Sequence, residues 1–462
     1  MDKVIERLHT DATRAVENAV RLLGGRSYFV GGCVRDRVMG REPKDRDMLV
    51  TGVPKETLAS GLPGRVDLVG KSFGVFKCTL FGETVDVALP RTERSTGEGH
   101  RDFEVQSDHT LPVERDLARR DFTMNAMALE ALTGDLVDPF GGMTSLEQGV
   151  IRAVGRPIDR FAEDPLLMLR AVRFSSTLLF DIAEATSEGI QANATLLSAV
   201  SPERVYEEMC RLLMGKWAAN GTYRLTQLGL MDRIVPEFAA SVGFHQHNVH
   251  HDRTVDAHVR DALSYAVQNE ASLRARWAVL LHDIAKPRTF TLTPEGIGHF
   301  YDHDEVGAAM AAEILGRLKA PTDMVLGVAR LVNNHLRPPH EASDRVLRRF
   351  TADMGDLTED ALMVRESDAS AHAGPSGKYI GAAVRASEVR SYRERIKAFA
   401  AVTGFTEAKL ALKGDEIARL FQVQGAAIGR LKRFAAAAVV EGTVENEQAA
   451  LVRYLELNKE RA

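Results

Sequence analysis

The stretch that decides the fold runs from residue 28 to residue 50 and reads YFVGGCVRDRVMGREPKDRDMLV. A first apolar run ends at the glycine pair Gly31 and Gly32, and a second apolar run follows the aspartates Asp45 and Asp47. Glycine pairs mark tight turns, and the arginine-rich segment between the two runs has room for a short helix. The pattern therefore predicts a strand, a turn, a short helix and a second strand.

The two aspartates predict a metal site. Residues two apart in a strand point to the same face, so the carboxylates of Asp45 and Asp47 lie together while Arg46 points away. Carboxylates plus substrate phosphates are the ligands that Mg²⁺ prefers, and two such ions can hold both oxygens of a phosphoryl transfer. Asp86, in the strand-like run TVDVAL, is a candidate third ligand. The glycine pair offers backbone N–H groups to a triphosphate, and Arg35 adds a positive charge.

Composition limits the class of protein. The chain of 462 residues has room for two to four domains. Its net charge of −5 argues against a protein coated in basic groups, although local arginine clusters can still hold nucleic acid. Three widely scattered cysteines argue against a disulfide framework or a cysteine-type zinc site. No apolar run approaches the roughly 18 to 20 residues that span a bilayer. We expect a cytoplasmic protein without a membrane partner.

The hydrophobic pattern of the chain changes from strand-like to helical part-way along the sequence. Up to about Gly142, short β-rich runs alternate with glycine turns, and from about Leu146 the apolar residues recur at helical spacing. The run FTLTPEGIGHFYDHDEVG predicts a loop or hairpin inside the helical part. The fold class expected is α+β and multidomain, with a mixed β-sheet in the N-terminal head. The predicted domains are a head at 1–143, a helical neck at 144–240, a histidine-containing domain at 241–380 and a helical tail at 381–462.

The head motifs resemble a known family. Gly-Gly-x-Val-Arg-Asp, a glycine at position 40 and Asp-x-Asp in a hydrophobic strand resemble the nucleotidyltransferases of the DNA polymerase beta superfamily. In detail they resemble the class II tRNA nucleotidyltransferases, which are the CCA-adding enzymes, and the bacterial poly(A) polymerases. The resemblance implies catalytic carboxylates at Asp45, Asp47 and Asp86, and nucleotide contacts from Gly31, Gly32, Arg35 and Asp36.

Two further head segments extend the resemblance. ERDLARRDFTMNAMAL, at 114–129, resembles the family's ribose-recognising segment and implies that Arg120, Asp121 and Asn125 contact the sugar. Amide and carboxylate groups can pair with sugar hydroxyls, which selection of ribose requires. RTERSTGEGHRDFEV, at 91–105, resembles the flexible loop that the family uses during nucleotide switching.

The segment FAEDPLLMLRAVRF, at 161–174, both matches the family and departs from it. In the family an aspartate and an arginine form a protein template that pairs with the base. Asp164 fits the first role, but Leu167 occupies the arginine's position and cannot donate a hydrogen bond, so we expect weaker base discrimination. Arg170 and Arg173 match later family arginines in nucleotide binding. On one continuous helix Arg170 would lie about 240° from Asp164, so we expect that it does not replace the missing side chain.

The histidines predict a second metal site. VDAHV, AVLLHDIAKP and RESDAS give the order His, His-Asp, Asp, which resembles the HD-domain phosphohydrolases. The resemblance implies a divalent metal of unknown identity bound by His258, His282, Asp283 and Asp368. His303 and His335 stand where some members have additional ligands. Such ligands suit an ion that activates water. HD domains attached to tRNA nucleotidyltransferases can also be structural, and the sequence leaves both alternatives open.

The C-terminal helices resemble the tail of HD-containing tRNA nucleotidyltransferases. They carry Arg430, Lys432 and Arg433 on what reads as a short turn, suited to phosphate contacts with tRNA, although a solvated helix face is an equal alternative. The predicted function is template-independent addition of C, C and A to the tRNA 3′ end from CTP and ATP. In that reaction Mg²⁺ is held by Asp45 and Asp47, and pyrophosphate leaves.

Three alternatives remain from the sequence. A partial enzyme that adds only CC or only A shares the same motifs, and Leu167 favours it. A poly(A) polymerase would accept ATP alone. A protein of a different class would be a metal-dependent HD phosphohydrolase whose head has become an RNA-binding module.

Overall fold

A computed structural model describes residues 2–69, 74–95, 103–247, 253–371, 380–403 and 410–458. The chain forms two compact units, Met1–Ile234 and Val235–Ala462. A mixed sheet near the N-terminus is followed by helices, which confirms the predicted α+β class. The division into four domains stays a prediction.

The first unit contains most of the strands. They are β1 (Arg26–Val30), β2 (Asp47–Thr51), β3 (Arg65–Val69), β4 (Val75–Leu80), β5 (Glu83–Ala88), β6 (Arg91–Ser95), β7 (Phe103–Ser107), β8 (Ala128–Glu130), β9 (Leu136–Val137), β10 (Val150–Ile151) and β11 (Asp181–Ile182). Its helices are α1 (Asp2–Glu6), α2 (Asp11–Leu22), α3 (Gly32–Val38), α4 (Lys55–Gly61), α5 (Val113–Ala118), α6 (Gly142–Gln148), α7 (Pro157–Glu163), α8 (Leu166–Leu178), α9 (Glu184–Asn193), α10 (Pro202–Leu213), α11 (Ala218–Gln227) and α12 (Met231–Ile234). Short 3₁₀ helices cover Thr123–Asn125 and Ala194–Ala199.

Seven strands form the main sheet in the order β3-β4-β5-β2-β1-β8-β9. Every neighbouring pair is antiparallel except β2 and β5, which are parallel. The parallel register places Asp47 opposite Asp86. The predicted strand, turn, helix and strand are confirmed as β1, the turn at Gly31, α3 and β2.

Both faces of the sheet are buried. Phe29 and Met48 point into one core, which also receives the apolar side of α2, while Tyr28 and Leu49 point into a second core on the opposite face. This alternation follows from the two-residue period of a strand. Asp47 shares the parity of Leu49, so its carboxylate lies on the second face.

The template-like segment is two helices and not one. α7 ends at Glu163, Asp164 is extended with φ −134° and ψ 92°, and α8 begins at Leu166. The ring of Pro165 disfavours the helical conformation at the residue before it, which breaks the helix here. The expectation that Asp164 and Arg170 share one helix is therefore wrong, and the 240° argument does not apply.

The flexible-loop segment at 91–105 is only partly described. β6 and β7 pair as an antiparallel hairpin, in which Arg91 lies opposite Ser107. Residues 96–102, which connect them, lie outside the described residues, so the predicted role of this loop stays a prediction.

The second unit is mainly helical. Its helices are α13 (Val255–Gln268), α14 (Leu273–Leu281), α15 (Lys286–Thr289), α16 (His303–Arg317), α17 (Thr322–Asn333), α18 (Asp344–Met354), α19 (Thr358–Ala371), α20 (Ile380–Thr403), α21 (Gly414–Phe421), α22 (Ala426–Val440) and α23 (Gln448–Asn458). β12 (Phe290–Leu292) and β13 (Gly298–Phe300) form the hairpin that the sequence predicted as one of two alternatives. Short 3₁₀ helices cover Pro236–Ser241 and Gly355–Leu357.

The basic residues of the tail lie on a helix. Arg430, Lys432 and Arg433 all belong to α22, whose apolar side packs in a core with α21 and α23. The expectation of a short turn is wrong, because the alanine-rich sequence that follows favours continuous helix. Within the described part of the chain, no helix is both long and apolar enough to cross a membrane.

Two glycines of the second unit test how tightly it is packed. A Cβ atom at Gly298 would lie 2.3 Å from the carbonyl oxygen of Gln246, whereas one at Gly316, inside α16, would meet nothing within 4 Å. We expect Gly298→Ala to destabilise the unit by about 1 to 3 kcal/mol, as overpacking does. Gly316→Ala should stabilise it by about 0.5 to 1 kcal/mol through helix propensity. Chemical denaturation of the two variants measures both effects, and equal midpoints would contradict this packing.

Candidate active site and a buried histidine and carboxylate cluster

Carboxylates converge at the edge where β2 begins. Asp47 is the first residue of β2 and lies opposite Asp86 of β5, while the exposed Asp45 precedes the strand by two residues. Burial and the charge of Asp86 raise the pKa of Asp47; Asp45 raises it further, and Arg120 opposes them. The structure thus brings these three predicted acids within electrostatic range of one another, and such a set favours a bound cation.

Arg46 holds this strand edge from the other side. Its Nη2 donates to Glu42 at 2.8 Å, its Nη1 donates to Glu83 at 3.4 Å, and its Nε donates to the carbonyl of Leu8 at 3.2 Å. The expectation that the strand includes Asp45 and Arg46 is wrong, because β2 begins at Asp47. Arg46 nevertheless contacts Glu83, which lies three residues from Asp86 along β5 and so on the opposite face of the sheet. Glu83 begins β5, so Arg46 ties together the two strands that carry Asp47 and Asp86. Nothing in the sequence indicated the partners of Arg46.

Asp121 is the centre of a buried network in the first unit. Its Oδ2 accepts from Nε and Nη2 of Arg170 at 3.1 and 2.5 Å. Its Oδ1 accepts from the Phe122 backbone at 2.8 Å and from Nδ2 of Asn125 at 2.9 Å, and Oδ1 of Asn125 accepts from Arg35 at 2.8 Å. Burial alone would raise the pKa of Asp121, but Arg170 and these hydrogen bonds hold it below the usual range. The network joins the predicted ribose segment to both α3 and α8.

Arg120 lies above the glycine turn. Its Nη2 donates to the buried Asp116 at 3.2 Å, and its Nη1 would lie 2.4 Å from a Cβ atom at Gly31. Gly31 also has φ +76°, so glycine is required here by backbone conformation and by the close approach of the guanidinium. Arg120 lowers the pKa of Asp47, which places its charge near the carboxylates.

The other predicted nucleotide contacts lie along α3 and α8. Arg35 donates from Nε to Asp36 at 2.8 Å, so its charge is held in place. The Oδ1 of Asp164 accepts from the Leu166 backbone at 3.1 Å at the start of α8. Leu167 is 7% exposed and belongs to the buried interior of α8.

Arg170 and Arg173 have different surroundings. Burial would lower the pKa of Arg170, but the charge and hydrogen bonds of Asp121 raise it, with smaller contributions from Glu208 and Asp164. Arg173 donates to the buried Glu208 of α10 at 2.6 Å, with its guanidinium 4.1 Å from the ring centre of Phe174. Arg173 therefore anchors α8 to α10, a structural role that the sequence did not reveal.

A separate cluster of buried histidines and carboxylates lies in the second unit. The Nε2 of His258 lies 3.2 Å from Nε2 of His282, 3.1 Å from Oδ1 of Asp368 and 3.5 Å from Oδ2 of Asp283. His282 Nε2 lies 3.2 Å from the same Asp283 oxygen. The four residues that the sequence predicted as ligands are thus together, drawn from α13, the end of α14 and α19.

Two more histidines complete this cluster. The Nε2 atoms of His303 and His335 lie 3.7 and 3.8 Å from Oδ1 of Asp283 and 3.3 Å from each other. Asp283 therefore faces one histidine pair with each of its oxygens. His258, His282 and Asp283 form one group that could hold a metal ion, and Asp283, His303 and His335 form another.

The histidine rings are oriented for metal binding. Three of them have Nδ1 within hydrogen-bond distance of backbone carbonyl oxygens, which leaves Nε2 directed into the cluster. The pairs are His282 with Val279 at 2.8 Å, His303 with Phe300 at 2.7 Å and His335 with Val332 at 2.7 Å. A backbone acceptor at Nδ1 fixes the tautomer whose Nε2 lone pair can bind a metal.

Burial and the two carboxylates shift the pKa values of the cluster histidines. Burial would lower the pKa of His282, but the carboxylates of Asp283 and Asp368 raise it to about 10. Burial and the positive charge of His282 lower the pKa of His335 to about 3. Within the described residues, neither oxygen of Asp283 accepts a hydrogen bond of good geometry. The donor set therefore fits divalent ions.

Family models match three parts of the chain. They are the poly(A) polymerase head domain at residues 27–152, the "probable RNA and SrmB-binding site of polymerase A" at 179–241, and the HD domain at 255–372. The multifunctional CCA protein of Nitrosococcus oceani is 34% identical over 411 residues, which is 86% of this chain and 96% of that protein. The chain belongs to the family of multifunctional CCA proteins. The matched head and HD domains imply dependence on divalent metal ions.

Further similar proteins are also multifunctional CCA proteins or CCA-adding enzymes. The multifunctional CCA protein of Halorhodospira halophila is 40% identical over 302 residues, covering 64% of this chain and 69% of that protein. The CCA-adding enzyme of Bacillus stearothermophilus, solved in complex with CTP, is 26% identical with a TM-score of 0.70, covering 98% of this chain and 99% of that one. The Thermotoga maritima enzyme complexed with tRNA, at 20% identity and a TM-score of 0.62 over 99% and 98% of the two chains, shares the fold.

Sequence reasoning missed several neighbours of the HD cluster. The ammonium of Lys286 lies 2.7 Å from Oδ2 of Asp283 as an ion pair and donates to Oε1 of the buried Gln246 at 2.9 Å. Arg365 donates to Oδ2 of Asp368 at 3.0 Å. Lys286 follows Asp283 by three residues, so its charge was visible in the sequence, whereas Gln246 lies too far away in the chain to be paired with it.

The Asp121 network can be tested by removing one charge. We expect Arg170→Met to destabilise the first unit by about 3 to 5 kcal/mol, because it leaves the buried carboxylate of Asp121 without its cation. The folded pKa of Asp121 lies below its usual value. Its stabilising effect is therefore present above the ordinary carboxylate pKa and is lost as pH falls through the folded pKa.

Denaturation of this variant at neutral and acid pH measures the effect. Arg156→Met, which removes an exposed ion pair with Asp159, is the control and should change stability by less than about 0.5 kcal/mol. The double variant Arg170→Met with Asp121→Asn should recover part of the loss. Equal effects of Arg170→Met and Arg156→Met would show that the network is not a buried charge pair.

Proposed function

We propose that this chain adds C, C and A to the 3′ end of tRNA from CTP and ATP, without a nucleic-acid template. The observation that carries the proposal is the Asp47 and Asp86 pair in the head of a chain that is 34% identical to a multifunctional CCA protein along 96% of that protein. The similarity to a CCA-adding enzyme solved with CTP supports it. A tRNA substrate would place this activity in the cytoplasm.

The carboxylates are proposed as a Mg²⁺ site. Asp45 and Asp47 would hold the ion, with Asp86 as the third catalytic carboxylate, and the raised pKa of Asp47 supports a site built for a cation. When bound, Mg²⁺ neutralises phosphate charge and favours the deprotonated 3′-hydroxyl. That hydroxyl forms the bond to the α-phosphorus, and the bond to the pyrophosphate oxygen breaks.

The remaining head residues are proposed to position the nucleotide. Gly31 and Gly32 keep the turn free of side chains, and Arg120 supplies positive charge near the carboxylates. Arg35 and Asp36 supply a fixed ion pair on α3. No covalent intermediate is needed, since positioning and charge neutralisation are sufficient for this reaction.

The roles of the ribose and template segments in nucleotide binding stay predictions. The structure adds the hydrogen bonds that their side chains make within the protein. Asp121 and Asn125 already bond to Arg170 and Arg35, so in this network they hold the segment in place. Any contact with the sugar would have to use hydrogen-bonding positions of Asp121 and Asn125 other than those in this network. We propose that Asp164 accepts from the base amino group. Because Leu167 cannot donate, selection between bases should be weaker than with the family arginine.

Loss of Asp47 tests the catalytic assignment. Asp47→Asn should reduce nucleotide incorporation into a tRNA transcript lacking CCA by at least about 10³-fold, since the metal loses a charged ligand. Binding of the tRNA should stay within about threefold. The matched control is Asp67→Asn, an exposed strand aspartate paired with Arg65, which should retain full activity. Full nucleotide incorporation by Asp47→Asn would contradict the assignment of Asp47 as a catalytic carboxylate.

Sequencing of the products separates the alternatives. Transcripts ending before, within and just short of CCA are incubated with CTP, ATP, both, or UTP and GTP. Completion at CCA supports the proposal. Addition of only C or only A would indicate a partial enzyme, and unlimited A tails on unrelated RNAs would indicate a poly(A) polymerase.

We infer a second candidate function for the HD domain, which is metal-dependent phosphoester hydrolysis. His258, His282, Asp283 and Asp368 would hold one divalent ion, and His303 and His335 would contribute with Asp283 to a neighbouring position. When bound, such ions activate water as a nucleophile. Lys286 holds Asp283 in place, and Arg365 holds Asp368. A structural role for the domain remains the alternative.

Metal content tests this second function. His282→Ala should lose the bound divalent ion and any hydrolysis of bis(p-nitrophenyl) phosphate, because it removes a buried ligand, while CCA addition should persist. Asp47→Asn should keep both HD properties. Mass spectrometry of the metals and a chromogenic assay measure the two effects. Hydrolysis that survives in His282→Ala would refute the catalytic role, and an ion retained without hydrolysis in the wild type would favour a structural site.

A further inference from the structure

A cavity in the helical part of the first unit is not used by the proposed catalytic site. It has a volume of about 360 Å³ and lies between α9 and α11. Its lining residues are Ser187, Gln191, Asn220, Tyr223, Arg224, Gln227 and Leu228. None of these seven side chains is acidic, so the lining does not repel a phosphate-bearing ligand.

The polar groups of the cavity come from one face of each helix. Asn220, Tyr223 and Gln227 follow one another at three- and four-residue spacing on α11, and therefore share a face. Gln191 lies on α9, and its Nε2 donates to the backbone oxygen of Gln227 at 3.4 Å, which links the two helices. The amides of Asn220 and Gln227 offer both donors and acceptors, the combination that reads the edge of a nucleobase.

An exposed aromatic ring stands beside these amides. Tyr223 is 40% exposed even though it lines the cavity, and Trp217, the residue before α11, is 38% exposed. The ammonium of Lys216 lies 5.4 Å from the ring centre of Trp217. That cation belongs to Trp217, which does not line the cavity, so the exposed ring of Tyr223 is the platform available there for an unpaired base of RNA to stack on.

A fixed cation completes the cavity. Arg224 donates from Nη2 to Oδ1 of Asp181 at 2.5 Å, so the guanidinium is held at the wall by a residue that is itself 81% exposed. A held guanidinium loses less conformational freedom on meeting a phosphate or a base than a mobile one would.

We propose that this cavity binds one unpaired nucleotide of the RNA substrate, with its base stacked on Tyr223 and its edge paired with Asn220 and Gln227. The matched RNA-binding model at 179–241 includes all seven lining residues, but assigns no pocket or binding mode. The inference rests on the proposed function only in that RNA is the acceptor. It concerns binding and is independent of nucleotide addition.

The experiment measures RNA affinity in the full chain carrying Asp47→Asn, so that no addition takes place. Fluorescence anisotropy follows a labelled tRNA transcript with an unpaired 3′ end, and a blunt-ended RNA duplex of two complementary strands, which has no unpaired nucleotides. Tyr223→Ala should weaken binding of the tRNA roughly 5- to 150-fold through lost stacking, and should leave binding of the blunt duplex unchanged. Tyr223→Phe, which keeps the ring, should stay within about threefold of the parent.

Two further variants serve as a second test and as a control. Gln227→Ala should also weaken tRNA binding, and it provides a second test should Tyr223→Ala fold poorly. Tyr301→Ala removes another exposed tyrosine, which is 67% exposed in the second unit, and should have no effect. A 4-thiouridine-labelled transcript should crosslink to the peptide containing Tyr223.

Several results would overturn the inference. Unchanged tRNA affinity in both Tyr223→Ala and Gln227→Ala, or equal losses for tRNA and the blunt duplex, would exclude a site for an unpaired nucleotide. Saturable binding of free CMP or AMP that these variants abolish, with tRNA binding intact, would identify a free-nucleotide site instead. Failure of CCA addition together with Tyr223-dependent tRNA binding would refute the proposed function and leave this inference standing.

Discussion

The buried carboxylate of Asp121 is the constraint on which the first unit depends. A charge with so little exposure is tolerated only if it is fully paired, and here Arg170, Asn125 and a backbone N–H share it. Because Arg170 belongs to α8 and Asn125 in turn holds Arg35 on α3, one carboxylate fixes three segments. The segments that would contact sugar, base and phosphate are thereby positioned together.

The parallel pairing of β2 and β5 has a comparable effect on the acids. It is the parallel pair in a main sheet that is otherwise antiparallel, and it sets Asp47 beside Asp86. Arg46 secures the same two strands by contacting Glu83. Burial raises the pKa of Asp47, and the charge of Asp86 raises it further. That repulsion between the carboxylates is the feature that a cation would relieve.

The buried histidine and carboxylate cluster of the HD domain also brings carboxylates together, but it surrounds them with different groups. Its two carboxylates are buried, and histidines and Lys286 surround Asp283. Backbone carbonyls of Val279, Phe300 and Val332 orient three of the four rings, so the geometry is set by the backbone of two helices and a strand and not by the histidines alone. The two acid sites thus share a demand for cations, but only the HD cluster is shielded from solvent.

Much of this could be predicted from short-range patterns. The apolar run after Asp47 predicted the β2 strand, although the strand begins at Asp47 and not at Asp45. The order His258, His282-Asp283, Asp368 predicted, through its resemblance to HD domains, a cluster that the fold assembles. Prediction failed where a single residue changed the backbone. Asp164 was expected on a helix with Arg170, but Pro165 breaks that helix.

The sequence by itself determined the fold class, the order of the motifs and the identity of the ligating residue types, because these depend on local period and side-chain chemistry. Only the tertiary structure decided which groups are partners. The pairing of Asp121 with Arg170, of Arg173 with Glu208, and of Lys286 with Gln246 joins residues 35 to 49 positions apart. Such contacts depend on how helices and strands pack, and no local pattern in the chain encodes them.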